Sequence, residues 1–347
     1  MPASRTAFAP GRVNVIGEHT DYNGGLALPF AIREGVTVEA TALAPGSDRV
    51  EVRATDLGEH DSFPLREPGR AGGWRAFVRG AVAELDAAGR PLVAMRVEIA
   101  ATVPRGAGLS SSAALTVSLC LAMTALADGP DAGALDRLEL ARLCSRVEND
   151  WTGAHTGLLD QLASLYGDAD EAMRIDFAEL TVTPVPLRLH GWRFAVADSG
   201  QRHAHASSGY NERRAECASA CEQLGVTTLS EADAAQVAML PEPLRRRARH
   251  VLGENERVRE AVQALQAGDI RSLAALLDAS HASLRDLYEV STPAVEATVA
   301  ALHAAGAAGA RVMGGGFGGA VLALLPPGTE LPAGATEVAP GPGAHVL

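Results

Sequence analysis

Between Val93 and Ala127 the chain spells out one uninterrupted structural unit. Val93, Met95, Val97, Ile99, Ala101 and Val103 alternate with Arg96, Glu98 and Thr102, the two-residue period of a half-buried strand. That strand runs directly into PRGAGLSSSAAL (Pro104 to Leu115), and Ala113 to Ala127 continue apolar and free of proline, long enough for a buried helix. Strand, glycine loop and helix follow without a break, so the fold combines sheet with helix and sets a glycine- and serine-rich loop at a helix N-terminus.

The rest of the chain repeats both element types. A second helix is predicted over Leu135 to Glu148, where Leu138, Leu140, Leu143 and Val147 recur at near-helical spacing and bring Glu148 close to its end. Near Thr181 the pattern turns to short β-like runs, TVTPVPL and WRFAVADSG, which marks a change of domain. With 347 residues, 47% of them hydrophobic, two domains are expected, 1–182 and 183–347. In the second, Asn211 to Leu224 and Leu244 to Ala267 read as helices. Ser291, Thr292, Pro293 and Glu296 form a helix-start signal, and Gly309 to Leu325 reads as strand, glycine turn, strand. The tail holds one weak strand candidate, Ala335 to Ala339.

Charge and composition exclude several classes of function. A net charge of −12 argues against broad attraction to nucleic acid or anionic membranes. The basic run RRRAR (Arg245 to Arg249) lies in a stretch rich in Glu and Arg and reads as a solvated helix face. All 30 basic residues are arginine. Without lysine, a GxxxxGK[ST] phosphate loop, a Schiff-base enzyme and a protein kinase are all ruled out, and any bound phosphate must be held by arginine, backbone N–H groups or metal. Cys120, Cys144, Cys217 and Cys221 lack paired zinc-site spacing and read as reduced, structural thiols. The opening MPASRTAFAPG has no apolar core of a signal peptide and no run reaches the ~18 apolar residues of a membrane span, so a cytoplasmic location is expected.

Three segments carry candidate chemistry. In GRVNVIGEHTDYNGG (residues 11–25), Arg12, Glu18, His19 and Asp21 stand among Gly11, Gly17, Gly24 and Gly25, a pattern that fits either a ligand pocket or a solvated loop. In the loop after the first strand, Gly106 and Gly108 allow close backbone approach, and Ser110, Ser111 and Ser112 add hydroxyls to free helix N–H groups. The segment is a triphosphate cradle or an N-capped helix after a tight turn. A serine there can also ligate Mg²⁺ beside a carboxylate. ENDWTGAHTGLLDQ offers Glu148 and Asp160, twelve residues apart, either as metal ligand and nucleophile-facing acid or as two surface acids. His155 between them reads as structural or exposed, and Trp74 as core or as a platform for adenine. GGGFGG at 314–319 is too permissive to stand alone.

Taken in order, GRVNVIGEHTDYNGG, VPRGAGLSSSAAL and GARVMGGGFGGAVLAL resemble the three motifs of the GHMP small-molecule kinases, and the first is similar to the galactokinase branch. WRAFVRG, ENDWTGAHTGLLDQ, SSGYNERRAEC, RARHVLGENERV and SHASLRDLYEVS extend the likeness over nearly the whole chain. The resemblance implies an α+β protein of two domains, the N-terminal one of ribosomal-protein S5 domain 2 type and the C-terminal one ferredoxin-like, with the active site in the cleft between them. It also implies transfer of the γ-phosphate of ATP to the 1-hydroxyl of α-D-galactose. By position, Gly106, Ala107, Gly108, Leu109, Ser110, Ser111 and Ser112 would wrap the phosphates, Ser112 and Glu148 would hold Mg²⁺, and Trp74 would lie near adenine. Glu18, His19, Asp21, Gly157 and Tyr210 would bind the sugar, with Asp160 facing its 1-hydroxyl as base and Arg12 beside it.

Related proteins act on other sugars, and non-catalytic sensors of galactose and ATP share the motifs but lack a residue pair after the serines; here Ser112, Ala113 and Ala114 are intact. There are departures from the family pattern. The segment before the first motif is about ten residues long and shorter than usual, His155-Thr156-Gly157 replaces the more usual Cys-Gly, and Glu296 stands where aspartate is common.

Overall fold

The computed structural model describes residues 2–104, 108–128, 136–154, 156–201 and 206–347, with side chains from 209 onward in the last segment. The chain forms β1 (Ser4–Asn14), β2 (Leu26–Ala27), β3 (Pro29–Ala42), β4 (Arg49–Ala54), β5 (Glu59–Pro64), α1 (Trp74–Ala87), β6 (Met95–Ala101), α2 (Ser111–Asp128), α3 (Arg137–Arg146), α4 (Leu159–Tyr166), β7 (Glu171–Asp176) and β8 (Thr181–Pro186). It continues through β9 (Arg193–Asp198), α5 (Ala206–Leu224), α6 (Ala234–Ala238), α7 (Leu244–Ala267), α8 (Ile270–Asp286), α9 (Pro293–Ala304), β10 (Gly309–Val312), β11 (Ala320–Leu325), β12 (Ala335–Val338) and β13 (His345–Val346).

The N-terminal sheet has strand order β13-β1-β3-β6-β4-β5, antiparallel except for the parallel pair β4 and β6. Its alternating strand is β6, whose Met95, Val97 and Ile99 point into the core while Arg96 and Glu98 face out. Helix α2 packs against β1 and β3. By length and composition alone α2 could cross a membrane, yet 61% of it is buried, as expected of a core helix. A smaller sheet orders β2-β7-β8, and the expected domain change at 182/183 falls within β8.

The third sheet, β10-β11-β9-β12, lies between two cores. Phe194, Val196, Leu322 and Leu324 join the large core of the N-terminal half, whereas Ala195, Ala197, Val321 and Ala323 join a second core with α5, α7 and α9. Burial on both faces explains why AVLALL in β11 shows no polar alternation. Thr292 caps α9 by accepting from the Val295 N–H, with Pro293 in its first turn, as the sequence signal requires.

Two local expectations change. Helix α3 ends at Arg146 and gives way to a π-helical turn, Val147–Thr152, that carries Glu148. The apolar pattern ends at Val147, where the widened turn begins, so periodicity does not reveal it. In RRRAR, Arg245 and Arg246 pair with Glu242 at the surface, but Arg247 is only 2% exposed. It turns inward to Glu216 and Glu289, 2.7 Å from each, and donates to the Leu287 carbonyl. All four cysteines are free thiols.

Candidate active site

The first motif is bent back on itself after β1. Gly17 has φ +100°, and a Cβ there would come within 2.5 Å of the Leu26 carbonyl, so only glycine lets the chain turn. His19 follows with φ 60°, a left-handed conformation that costs a non-glycine residue roughly 1–3 kcal/mol. Neighbouring bonds hold it there. The Thr20 hydroxyl donates to the Gly17 and Leu26 carbonyls, and the Asn23 amide donates to the His19 carbonyl at 2.7 Å.

Helix α7 pins the same loop from the C-terminal half. Glu254 accepts from the Gly17 N–H at 3.0 Å and from Ser280 at 2.6 Å, and Asn255 accepts from the Leu26 N–H. Burial favours the neutral form of Glu254, but Arg257 and His250 outweigh it and bring its pKa to about 2. Arg311 of β10, fully buried, donates to the Asn14 and Val15 carbonyls and to the Glu18 carboxylate at 2.9 Å. The Gly314 N–H also donates to Glu18, at 2.7 Å.

Three cavities adjoin along this framework. The first, about 350 Å³, is lined by Arg12, Glu18, His19, Asp21, Gly157, Asp160 and Tyr210, together with Gly314 to Gly316. Every residue expected to bind sugar or act beside it therefore meets in one polar cavity. Gly157 is required by contact, because a Cβ there would fall 2.0 Å from the Asp21 carboxylate. Burial, with Asp160 and Glu18 nearby, raises Asp21 to about 6, whereas burial and His250 lower His19 to about 3, so its imidazole is neutral. Burial likewise raises Tyr210 well above the usual phenol range.

The second cavity, about 340 Å³, is lined by Gly108, Leu109, Ser110, Ser111 and Ser112, by the glycine run, and again by Arg12 and Asp160. Ser110 has φ 56° and its buried hydroxyl lacks a hydrogen-bond partner among the described residues. Gly11 brings β1 against this loop, and Arg12 donates to the Gly108 carbonyl at 2.6 Å through its side chain and to the Leu109 carbonyl at 3.1 Å through its backbone. Gly106, Ala107 and His155 lie outside the described residues.

The third cavity, about 380 Å³, is walled by Trp74, Phe77, Val36, Ile99, Val103 and Leu115 and meets the second at Ser111 and Ser112. Trp74 donates through Nε1 to Glu59 at 2.9 Å and carries Arg75 over its ring, so it belongs both to the wall and to a polar rim.

Arg12 and Asp160 stand where the first two cavities join, linked by an ion pair of 2.8 Å. Asp160 sits in the first turn of α4, and the next residue, Gln161, donates to Glu148 at 3.0 Å. Glu148 is 3% exposed and also receives the Ser112 hydroxyl at 3.4 Å. Burial, then Asp160, raises its pKa to about 8. No cluster of three or more His, Cys, Asp or Glu suited to a metal occurs among the described residues. A hydroxyl and one buried carboxylate bonded to neutral donors nevertheless fit Mg²⁺, which takes few protein ligands and completes its shell with water and phosphate.

Sequence reading missed Arg311, Glu254, Asn255 and Gln161, whereas Gly314 to Gly316, left open between a backbone approach to a ligand and a bulged hairpin, line both cavities. Arg311 had a usable signal, an arginine inside an apolar strand that must find buried acceptors. The others act through contacts distant in the chain.

A glycine- and serine-lined cavity between an apolar and a polar one, on this two-core α+β scaffold, is the arrangement of a GHMP small-molecule kinase. The GHMP kinase N-terminal domain matches residues 76–168, the GHMP kinase C-terminal domain residues 261–339, and the galactokinase galactose-binding signature residues 2–42. The chain belongs to the galactokinase family, a family of ATP-dependent sugar kinases. It is 42% identical over 330 residues to a galactokinase of Mycobacterium tuberculosis (strain ATCC 25177 / H37Ra), covering 92% of this chain and 88% of that one. The crystal structure of Lactococcus lactis galactokinase complexed with galactose is similar at TM-score 0.89 and 31% identity, over 99% of this chain and 95% of the other. The mevalonate kinase of Methanococcus jannaschii, TM-score 0.70 at 19% identity over 98% and 99% of the two chains, shares the fold.

Proposed function

We propose that the chain transfers the γ-phosphoryl group of ATP to the 1-hydroxyl of α-D-galactose, with base, phosphates and sugar occupying the three adjoining cavities in that order. The observation that carries this reading is the position of Arg12 and Asp160, shared by the polar cavity and the serine-lined one. A sugar held in the first presents a hydroxyl to the γ-phosphate in the second with Asp160 between them.

In this reading Glu18, His19, Asp21 and Tyr210 pair with sugar hydroxyls, and Gly157 leaves room for Asp21. Asp160 accepts the 1-hydroxyl proton or orients the hydroxyl for attack. Arg12 fixes the carboxylate and offers its remaining donors to the transferring phosphoryl group, a planar fork suited to both. Gly106, Ala107, Gly108, Leu109, Ser110, Ser111 and Ser112 wrap the phosphates, the last residues supplying free N–H groups of α2 and the unpartnered Ser110 hydroxyl. Trp74 and the apolar wall take adenine. Ser112 and Glu148 would hold Mg²⁺, which neutralises phosphate charge when bound. Residues 1–182 and 183–347 are proposed as the two domains, and the cytoplasm as the compartment.

A coupled ADP-release assay over a panel of sugars tests the assignment. Galactose is expected to give the highest kcat/KM; turnover confined to another hexose, or galactose and ATP binding without turnover, would overturn it.

A further inference from the structure

Behind the polar cavity lies a line of neutral groups that the phosphoryl transfer does not use. His19 Nδ1 is 2.8 Å from the Tyr22 hydroxyl, which is 3.0 Å from the Tyr288 hydroxyl, which is 3.0 Å from Cys217 Sγ. Asn23 Nδ2, held by the His19 carbonyl, reaches the same sulfur at 3.7 Å. Tyr288 is fully buried, Cys217 2% and His19 4% exposed.

One direction gives every proton among these groups an acceptor. An amide nitrogen only donates, so Cys217 Sγ accepts from Asn23. Its own S–H then has the Tyr288 oxygen as acceptor, Tyr288 donates to Tyr22, and Tyr22 donates to His19 Nδ1. Run the other way, the sulfur accepts twice and the S–H proton is stranded among these groups. His250, its ring tilted against Tyr288 with centroids 4.4 Å apart, does not compete, because its nitrogens face Ser283 and the Glu18 carbonyl. Burial raises Tyr22 and Tyr288 above the phenol range and Cys217 to about 11, so each keeps its proton at neutral pH. His19 Nε2 is buried and lacks a hydrogen-bond partner among the described residues.

We propose that Tyr22, backed by Tyr288 and Cys217, is a positioning residue for sugar recognition: by donating to Nδ1 it fixes the Nε2–H tautomer of His19 and makes that N–H a hydrogen-bond donor to a substrate hydroxyl. The proposal rests on the reading of the polar cavity as the sugar site. It assigns Tyr22 no contact with substrate; its effect passes through one ring.

Nitrogen-15 NMR of the full chain labelled at histidine, with His19 identified by comparison with His19→Gln, reads the tautomer directly. The Nε2–H form is expected in the free protein, with its Nε2 resonance moving as galactose saturates. The Nδ1–H form overturns the proposal, as does an Nε2 resonance that stays fixed while calorimetry shows galactose saturating the protein. Failure of galactose to saturate at all, with the tautomer intact, overturns the sugar-site reading instead and removes the donor role with it. In kinetics, Tyr22→Phe keeps the ring and is expected to raise galactose KM ~3- to 10-fold, the loss of one neutral hydrogen bond, with kcat and ATP KM within about 2-fold. Cys217→Ser, which keeps a donor, should stay near the parent, and Cys217→Ala should raise galactose KM in the same direction but less. An unchanged galactose KM in a folded Tyr22→Phe protein contradicts the proposal.

Discussion

The cavity beside Trp74 and the cavity beside Asp21 have nearly the same volume, about 380 and 350 Å³, yet they are suited to opposite modes of recognition. Val36, Phe77, Ile99, Val103 and Leu115 offer the first ligand little but shape and dispersion. Arg12, Glu18, His19, Asp21, Asp160 and Tyr210 offer the second a set of buried or half-buried polar groups with hydrogen-bonding capacity turned to the ligand. An apolar wall forgives a small mismatch, while a buried polar set penalises a missing or inverted hydroxyl because protein groups are left unpaired. Discrimination should therefore reside mainly on the sugar side. The second cavity is also the one held from both halves of the chain, by Arg311, Glu254 and Asn255, whereas the first is walled by residues 36 to 115 alone.

The largest expected effect tests that contrast. Glucose, the 4-epimer of galactose, should lose ~10⁴-fold in kcat/KM. Similar values for the two sugars would erase the difference between the cavities. Next comes Glu148→Gln, which keeps size and loses the charge a hard cation needs; activity should fall ~10- to 100-fold and partly recover as Mg²⁺ is raised. An unaltered Mg²⁺ titration would leave Glu148 as a structural partner of Gln161 and Ser112.

Trp74→Ala addresses the other cavity. Losing an aromatic wall should raise ATP KM on the order of 10-fold while galactose KM stays within about 2-fold, and a reversed pattern would exchange the assignments of the two cavities. The smallest effect is a pH dependence. Asp21, raised to about 6, is an anionic acceptor above that pH and is protonated below it, so kcat/KM for galactose should decline as pH falls from 7 to 5, by at most ~10-fold in all. His19, lowered to about 3, adds no step in this window. In Asp21→Asn, measured at saturating Mg²⁺ so that Glu148, raised to about 8, stays anionic, the decline should flatten; an unchanged decline would assign the titration to another group.

Much of this site was legible because chemistry-bearing residues stood where apolar ones were expected. Charged side chains among glycines at 11–25 and three serines at the head of an apolar helix marked two cavities, and both segments line them. Tyr210 lies 189 residues beyond Asp21 in the chain, and only the family resemblance placed the two together; the structure brings them into one cavity. The turn that carries Glu148 stayed hidden because the apolar pattern ends at Val147, its first residue. Arg247 was misread for a related reason: a basic run on a polar helix looks solvated until another helix supplies Glu216. The pairing of β13 with β1 joins the two ends of the chain and has no local signature.

Arg12 and Asp160, at the junction of two cavities, are the centre of the account, and Asp160→Asn is its most direct test. The substitution keeps the shape and one acceptor oxygen but removes the charge and the proton-accepting carboxylate. Calorimetry for galactose and ATP alongside kcat should show both ligands binding near parental affinity while kcat falls ~10²-fold or more. A kcat within a few-fold of the parent, with both ligands bound, would contradict the account.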